Sequence, residues 1–198
     1  MIRLAEDVYT WGCFNDDKKY NFNGFLLACP EGALIVDPPA LSRDDEGYFE
    51  QLGLVPKLLL ITNRNHIRAL DSFTKRGEAP VAMHEAETGQ VEIRVDRALK
   101  DGEPVLGGPQ VVHLPGKSPG EVGLYWRQRR ILLLGDALIA PYGRLRLIPD
   151  AKLDDPKLLR QSLRKLEGLD FDHLLLADGD PLLSDAKPRV HGFLASLS

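Results

Sequence analysis

Short apolar runs separated by turn residues make up the first third of the chain. Runs of this length between such boundaries predict β-strands, here Val8 to Phe14, Gly24 to Cys29 and Ala33 to Val36. Ser42 is a suitable N-cap for a helix over about residues 43–52, and Gly53 would end it. The amino-terminal part is therefore predicted to be rich in strands and to close with one helix.

Strands and helices alternate in the rest of the chain. Six further apolar runs predict strands: Lys57 to Thr62, Pro80 to Met83, Gln110 to Leu114, Val122 to Trp126, Arg130 to Leu134 and His173 to Ala177. Strands interleaved with helices favour an α/β fold in which the helices pack outside the sheets.

Three further helices are expected. The first follows the Lys57 to Thr62 run, where three apolar residues are spaced by three before a stop at Gly77: Ile67, Leu70 and Phe73. The second begins at Asp155 with Pro156 in its first position and ends at Gly168. The last is expected over about residues 186–197.

Composition narrows the classes of function. The chain has 198 residues, the size of one domain, and no linker divides it, so residues 1–198 are expected to form a single domain. Its 25 Lys and Arg against 29 Asp and Glu give a net charge of −4, which provides no electrostatic case for nucleic-acid binding. No apolar run reaches the ~18 residues of a membrane span. Cys13 and Cys29 make no disulfide framework and the start does not resemble a secretory signal, so a cytoplasmic location is expected.

Four polar segments follow apolar strands, which is where α/β folds place active sites. They are Thr62 to Arg68, Pro115 to Gly120, Gly135 to Ala137 and Ala177 to Pro181. The order and the residues of these segments resemble those of the metallo-β-lactamase superfamily. In that family the first segment reads Thr-His-x-His-x-Asp-His and the second reads Pro-Gly-His-Ser/Thr-Pro-Gly. In the same family two later strands end in Gly-Asp and Gly-His-Gly.

The resemblance extends to the start of the chain, where Asn21 to Gly24 and Leu34 to Pro38 look like the family's leading hairpin. It covers roughly residues 8 to 182. It implies an α/β fold of the metallo-β-lactamase type, a four-layer αββα sandwich of two mixed β-sheets with helices outside.

In that family seven side chains hold two metal ions, and the resemblance places most of them on other residue types here. The two leading histidines fall on Asn63 and Asn65, the Asp and closing His of that motif on Ile67 and Arg68, the loop His on Lys117, and the final His on Asp178. Only the bridging carboxylate, Asp136, is kept. Zinc prefers imidazole, thiolate or carboxylate, and cationic side chains repel a divalent ion. The dinuclear site is therefore expected to be lost, and no cofactor is expected.

The two basic residues lead to a sharper hypothesis, in which Arg68 and Lys117 stand in for the metal ions. They would face Asp136 and Asp178, so that two positive charges oppose two negative ones. A buried carboxylate without a counter-charge is costly. We therefore expect Asp136 to lie within salt-bridge distance of Lys117 or Arg68.

The histidines and one further acid are given lesser roles. His84 and His113 are interpreted as structural. His66 lies one step from a ligand position and is expected to point away from the metal axis, at the surface or behind the site. Asp180, next to Asp178, could cap a turn or serve as an acid of the site.

Three functions remain open at this point. The first is a pseudoenzyme, or a protein that binds a small polar or anionic ligand, with a pocket of Asn63, Asn65, Arg68, Lys117, Asp136 and Asp178. The second is a hydrolase of an ester, thioester, lactone or phosphodiester, with one magnesium, manganese or calcium ion held by Asp136, Asp178 and Asp180 with His66 or His113. The third is a partner-binding role, in which exposed groups such as Tyr142 and Leu145 form a homo-oligomer.

Overall fold

Two β-sheets organise the described part of the chain, residues 1–75 and 79–197 of a computed structural model. The first sheet has seven strands in sequence order: β1 (Ile2–Ala5), β2 (Val8–Asn15), β3 (Tyr20–Cys29), β4 (Gly32–Val36), β5 (Pro56–Leu60), β6 (Val81–His84) and β7 (Arg97–Leu99). The second has four, β8 (Gln110–His113), β9 (Val122–Trp126), β10 (Ile131–Leu134) and β11 (His173–Leu176), in the spatial order β11-β10-β9-β8. Both sheets are mixed: β1 to β4 and β8 to β10 pair antiparallel, whereas β4 to β7 and the β10–β11 pair are parallel.

Helices cover the outer face of each sheet. Helices α1 (Arg43–Leu52) and α2 (Leu70–Thr74) lie on the first sheet, and α3 (Pro156–Ser162) and α4 (Ala186–Ala195) on the second. Successive strand residues point to opposite faces. In β3, Leu27 thus packs between the sheets while Leu26 packs in the outer layer with Phe49 of α1. The expected four-layer αββα sandwich is confirmed.

The helix boundaries agree with the sequence in part. A capping box of Ser42 and Asp45 starts α1, and Gly53 in the left-handed region ends it, as predicted. Helix α2 starts at Leu70 and not near Ile67, because Arg68 has a φ of 45° that no α-helix admits. The predicted stop at Gly77 lies outside the described residues.

The two carboxy-terminal helices are shorter than the sequence predicts. Helix α3 is capped by Asp155 as expected, but its expected second half, Leu163–Gly168, is a 3-10 helix. Helix α4 ends at Ala195, two residues before the expected end. None of the helices in residues 1–75 and 79–197 combines the length and apolar character needed to cross a membrane.

Two strands have no counterpart in the sequence-based prediction. Strands β1 (Ile-Arg-Leu-Ala) and β7 (Arg-Ala-Leu) are short and each contains an arginine, so neither forms a continuous apolar run. They form the two edges of the first sheet. Their omission leaves the predicted layers unchanged.

Candidate functional site

The polar segments that follow the strands meet at one edge of the sandwich. Asp37 follows β4, His66 belongs to the segment after β5, and Asp136 and Asp178 follow β10 and β11. Lys117 joins them from the loop after β8. All five are buried, although together they carry charge of both signs. Their pairing therefore decides what this edge can do.

Asp37 and Thr62 fix the orientation of His66. Both are fully buried, and the Asp37 carboxylate accepts hydrogen bonds from the Thr62 backbone N–H at 2.8 Å and hydroxyl at 2.6 Å. Nδ1 of His66 lies 2.8 Å from Oδ2 of Asp37 and 3.0 Å from Oγ1 of Thr62. The Thr62 hydroxyl already donates its hydrogen to Asp37, and the Asp37 carboxylate can only accept. Nδ1 of His66 must therefore be protonated and donate to Asp37. The ring is thereby held with Nε2 toward the other carboxylates.

Nε2 of His66 faces two carboxylates, at 3.3 Å from Oδ1 of Asp136 and 3.8 Å from Oδ1 of Asp178. Burial and the charge of Arg68 both lower the pKa of His66. Asp136 and Asp37 outweigh them, and the pKa of His66 is raised to about 10. His66 is therefore a cation at neutral pH, donating from both ring nitrogens.

The carboxyl groups respond to the same charges. Burial would raise the pKa of Asp136, but the positive charges of His66 and Lys117 hold it below its usual range. Burial raises the pKa of Asp178. Asp136 is therefore an anion at neutral pH, stabilised by the cations beside it.

Arg68 binds the second carboxylate and connects it to β3. Its Nη2 donates to Oδ1 of Asp178 at 2.6 Å, and its Nη1 donates to the carbonyl of Asn23 at 2.8 Å. The guanidinium also lies 5.0 Å from the centre of the Phe22 ring. Only 10% of the side chain is exposed. Arg68 is therefore held at a fixed place, and the expected pairing of a cation with Asp178 is present.

Lys117 pairs with Asp136 and stands at the end of a chain of hydrogen bonds. Its Nζ lies 3.4 Å from Oδ2 of Asp136 and donates to Oδ1 of Asn65 at 2.6 Å. The backbone N–H of Asn65 donates to Oδ1 of Asn63 at 2.8 Å, and Nδ2 of Asn63 donates to Oε2 of Glu121 at 2.7 Å. The salt bridge expected for Asp136 is thus present. Asn63, Asn65 and Lys117, three positions that the resemblance aligns with metal ligands, are thus linked by hydrogen bonds.

Glu121 is the last residue of this chain of hydrogen bonds. It is fully buried, and its Oε1 accepts from the backbone N–H of Ala137 at 3.1 Å. Burial raises the pKa of Glu121 well above its usual range. A protonated, neutral Glu121 can accept the hydrogen bond from Asn63 without adding a further negative charge beside Asp136.

A cavity of about 660 Å³ opens above these residues. Tyr20 and Phe22 of β3 line one part, and Ile139, Leu147 and Ile148 line another. Burial, together with Asp178 and Asp136, raises the pKa of Tyr20 to about 12, so its hydroxyl stays protonated. A volume of this size accommodates a small organic molecule.

Most of the residues assigned to the pocket from sequence lie together, and one does not. Asn65, Arg68, Lys117, Asp136 and Asp178 line the cavity. Asn63 is fully buried behind them, where its side chain contacts Glu121. It supports the pocket and does not line it.

Two interpretations of acids and histidines are corrected. His66 was expected at the surface or behind the site, but it is 3% exposed and lies at the centre, because Asp37 draws the ring inward. Asp180 is exposed and lies outside the main cavity, beside Pro181 in a smaller one. His113 stacks on His84 with ring centres 3.8 Å apart, and its Nε2 lies 2.8 Å from the carbonyl of Pro119. It therefore has structural contacts and does not join the acids.

The residues considered for an oligomer surface differ in exposure. Tyr142 is 73% exposed, in agreement with the hypothesis that it is a surface group. Leu145 is partly buried and packs against the core between the second sheet and its helices. A homo-oligomer stays a prediction.

Four residues of the site received no role from the sequence. They are Tyr20, Asp37, Thr62 and Glu121. Asp37 and Thr62 fall within segments that resemble the family, which was the available signal. Glu121 follows the Pro-Gly-Lys-Ser-Pro-Gly loop directly, but a single acid beside a loop gives no sign that it is buried.

The arrangement of these segments on this fold agrees with the comparison to protein families. A profile described as the metallo-beta-lactamase superfamily matches residues 3–197. The chain belongs to this superfamily. The family assignment covers both sheets and every residue of the candidate site.

Individual proteins support the same assignment. The probable metallo-hydrolase YqgX of Bacillus subtilis is 27% identical over 199 residues, covering 86% of this chain and 93% of that protein. The crystal structure of TTHA1623 in a di-iron-bound form has a TM-score of 0.70 at 25% identity, covering 86% and 93% of the two chains. A metallo-beta-lactamase family protein of Thermus thermophilus, TTHA1429, has a TM-score of 0.75 at 21% identity, covering 98% and 80%.

Several positions that the resemblance aligns with metal ligands carry groups already bonded within the protein. Asn63 and Asn65 are bonded to their neighbours, and Lys117 contributes a cation. In the described part of the chain, one group of donors could hold an ion: His66, Asp136 and Asp178, with ligand atoms within 4.8 Å of one another. These donors suit a divalent ion by type. Arg68 and Lys117 already bind the two carboxylates.

Proposed function

We propose that this chain is a pseudoenzyme of its superfamily that binds a small polar or anionic ligand in the cavity. In this proposal the dinuclear centre is lost and protein cations replace it. The observation that carries the proposal is the pairing of Lys117 with Asp136 and of Arg68 with Asp178, both in buried positions. Each carboxylate therefore has a counter-charge from the protein itself.

The charge around the cavity supports an anionic ligand. Six Lys or Arg and four Asp side chains line it, so the lining is positive even without His66, whereas the chain as a whole has a net charge of −4. A concave site with an excess of one sign attracts ligands of the other. Lining groups of both polar and apolar character are typical of small-molecule sites.

Thermal unfolding in the presence of anions tests this function. Protein freed of metal with a chelator is heated with inorganic phosphate, acetate or citrate, at an ionic strength held constant with sodium chloride. A ligand that binds only the folded state raises the Tm with its concentration. We expect at least one of these anions to raise the Tm in a saturable manner. No rise with any of them would contradict the proposal.

A second candidate function is a hydrolase of an ester, thioester, lactone or phosphodiester with one metal ion. One observation favours it: Asp37 accepts a hydrogen bond from Nδ1 of His66, which is how proteins orient metal-binding histidines. His66, Asp136 and Asp178 would hold the ion. When bound, the ion would supply activation of a water molecule.

Calorimetric titration of the metal-free protein with Mn²⁺ and Zn²⁺ distinguishes the two candidates. Binding of one ion per chain, abolished in Asp136→Asn, would support the hydrolase. Weak binding that is the same in wild type and variant would support the pseudoenzyme. Asp154→Asn serves as the control, because Asp154 lines the cavity but lies outside the donor group.

A further inference from the structure

The cavity has a buried floor and an exposed rim, and the two differ in how their charges are paired. Lys117 and Asp136 on the floor are 7% exposed, and Asp178 is 6% exposed. Lys18, Arg146 and Lys152 at the rim are exposed. A ligand that enters the cavity therefore meets both environments.

The positive charges without a carboxylate partner lie at the rim, and one of them, Arg146, has its guanidinium carbon 6.0 Å from the centre of the Tyr20 ring. On the floor, each cation has a carboxylate partner. In residues 1–75 and 79–197, no carboxylate lies within ion-pair distance of Lys18, Arg146 or Lys152. Arg64 is paired with Asp154, and Asp17 is the other acid of the rim. At the rim an anionic group meets cations that no carboxylate neutralises, and it avoids the desolvation cost of entering the buried floor.

The floor suits a neutral polar group. Two contacts of the Lys117 ammonium, to Asn65 and Asp136, leave one of its three N–H donors for a ligand. The hydroxyl of Tyr20 has no hydrogen bond to the protein in the described part of the chain, and Asp178 offers carboxylate oxygen. A hydroxyl or amide can donate and accept here without adding charge to a balanced cluster.

Apolar side chains also line the cavity. Phe22, Ile139 and Ile148 are among them, beside the charged and polar groups of floor and rim. Apolar surface of this kind favours a ligand whose middle part is aromatic or aliphatic. A bare inorganic anion leaves this surface in contact with water.

We propose that the ligand is a small organic anion with three parts: a phosphate monoester or carboxylate at the rim, an apolar middle, and a hydroxyl or amide at the floor. This inference rests on the proposed function and names its ligand class. Phosphate and carboxylate share the chemistry that the rim recognises, and the experiment separates them.

Calorimetry with matched probes at constant ionic strength tests the ligand class. The carboxylate probes are acetate, phenylacetate and 4-hydroxyphenylacetate, and the phosphate probes are inorganic phosphate and phenyl phosphate. We expect each aromatic anion to bind about tenfold more tightly than the bare anion of its class, a difference of ~1.4 kcal/mol. We also expect 4-hydroxyphenylacetate to bind more tightly than phenylacetate. The class with the lower Kd identifies the anionic group.

Two variants separate the ends of the cavity. Arg146→Gln is expected to weaken all aromatic anions about fivefold at low salt. Tyr20→Phe keeps the ring and is expected to remove the advantage of 4-hydroxyphenylacetate over phenylacetate. Lys100→Gln, which alters an exposed lysine paired with Glu85 and outside the cavity, is the control and is expected to change nothing.

The outcomes distinguish this inference from the proposed function. Bare and aromatic anions of equal affinity, or affinities unchanged in Arg146→Gln, would overturn the three-part ligand and leave anion binding in place. No binding of any probe would overturn both. Aromatic preference with the expected loss in each variant would support both.

Discussion

Replacing Lys117 tests how far the buried carboxylate depends on a protein cation. In Lys117→Met the side chain keeps a similar length, but Asp136 loses the ammonium at 3.4 Å and Asn65 loses a donor at 2.6 Å. Removing one partner of a buried ion pair costs ~3–5 kcal/mol. Because His66 remains 3.3 Å from Asp136, we expect the lower value, about 3 kcal/mol. For a chain of this size that corresponds to a fall in Tm of about 6–12 °C.

The assay is urea unfolding at pH 7 in the presence of a chelator, followed by circular dichroism. Lys100→Met is the matched control, since Lys100 is 70% exposed and lies 3.8 Å from Glu85. It is expected to change the free energy of unfolding by less than about 1 kcal/mol. In Lys117→Met combined with Asp136→Asn, the second substitution should recover part of the loss, because the uncompensated charge is gone. A single variant as stable as the control, or additive effects in the double variant, would refute the reasoning.

Three further predictions concern the surroundings of the site. Burial and the charge of His113 lower the pKa of His84 to about 4, below the usual ~6.5. Because the folded state disfavours protonation of His84, the contribution of this residue to stability is complete above about pH 6.5 and should fall by about 3 kcal/mol toward pH 4. The stability of His84→Gln should fall less over this range, and an equal fall would contradict the prediction. Gly116→Ala places a Cβ 2.2 Å from Leu159 N at a φ of 131° and should lower unfolding free energy by about 2–3 kcal/mol, whereas Gly168→Ala, with open space around it, should not. Asn63→Ala leaves Oε2 of Glu121 and the Asn65 N–H without these hydrogen bonds and should cost about 2–3 kcal/mol in urea unfolding; a loss below about 0.5 kcal/mol, the usual limit for a surface change, would count against the chain of hydrogen bonds.

The layers of the fold follow from local signals in the sequence. Continuous apolar runs such as β5 and β10 belong to strands covered on both faces, and these were found with small errors at their ends. The short edge strands β1 and β7 each contain an arginine and no continuous apolar run, which explains why the sequence does not predict them. The start of α2 depends on the left-handed backbone of Arg68, and no residue type at that position announces it.

The sequence indicates which segments form the candidate site, but it does not show how all of the charged side chains in these segments pair with one another. The salt bridge of Lys117 with Asp136 follows from a local argument, because a buried carboxylate needs a counter-charge. The place of His66 depends on Asp37, which is distant in sequence and reaches the ring only once β4 and β5 are paired. The burial of Glu121 likewise depends on Asn63 from another strand end. Such contacts are set by the packing of the two sheets.

Metal content tests whether protein cations occupy the positions of the two metal ions. Purified protein is incubated with Zn²⁺, Mn²⁺ or Fe²⁺, passed over a desalting column and analysed by inductively coupled plasma mass spectrometry, beside Lys100→Met as a control. We expect the amount of bound metal to be far below one ion per chain for each of the three metals. Two ions per chain, lost together in Asp136→Asn, would contradict it.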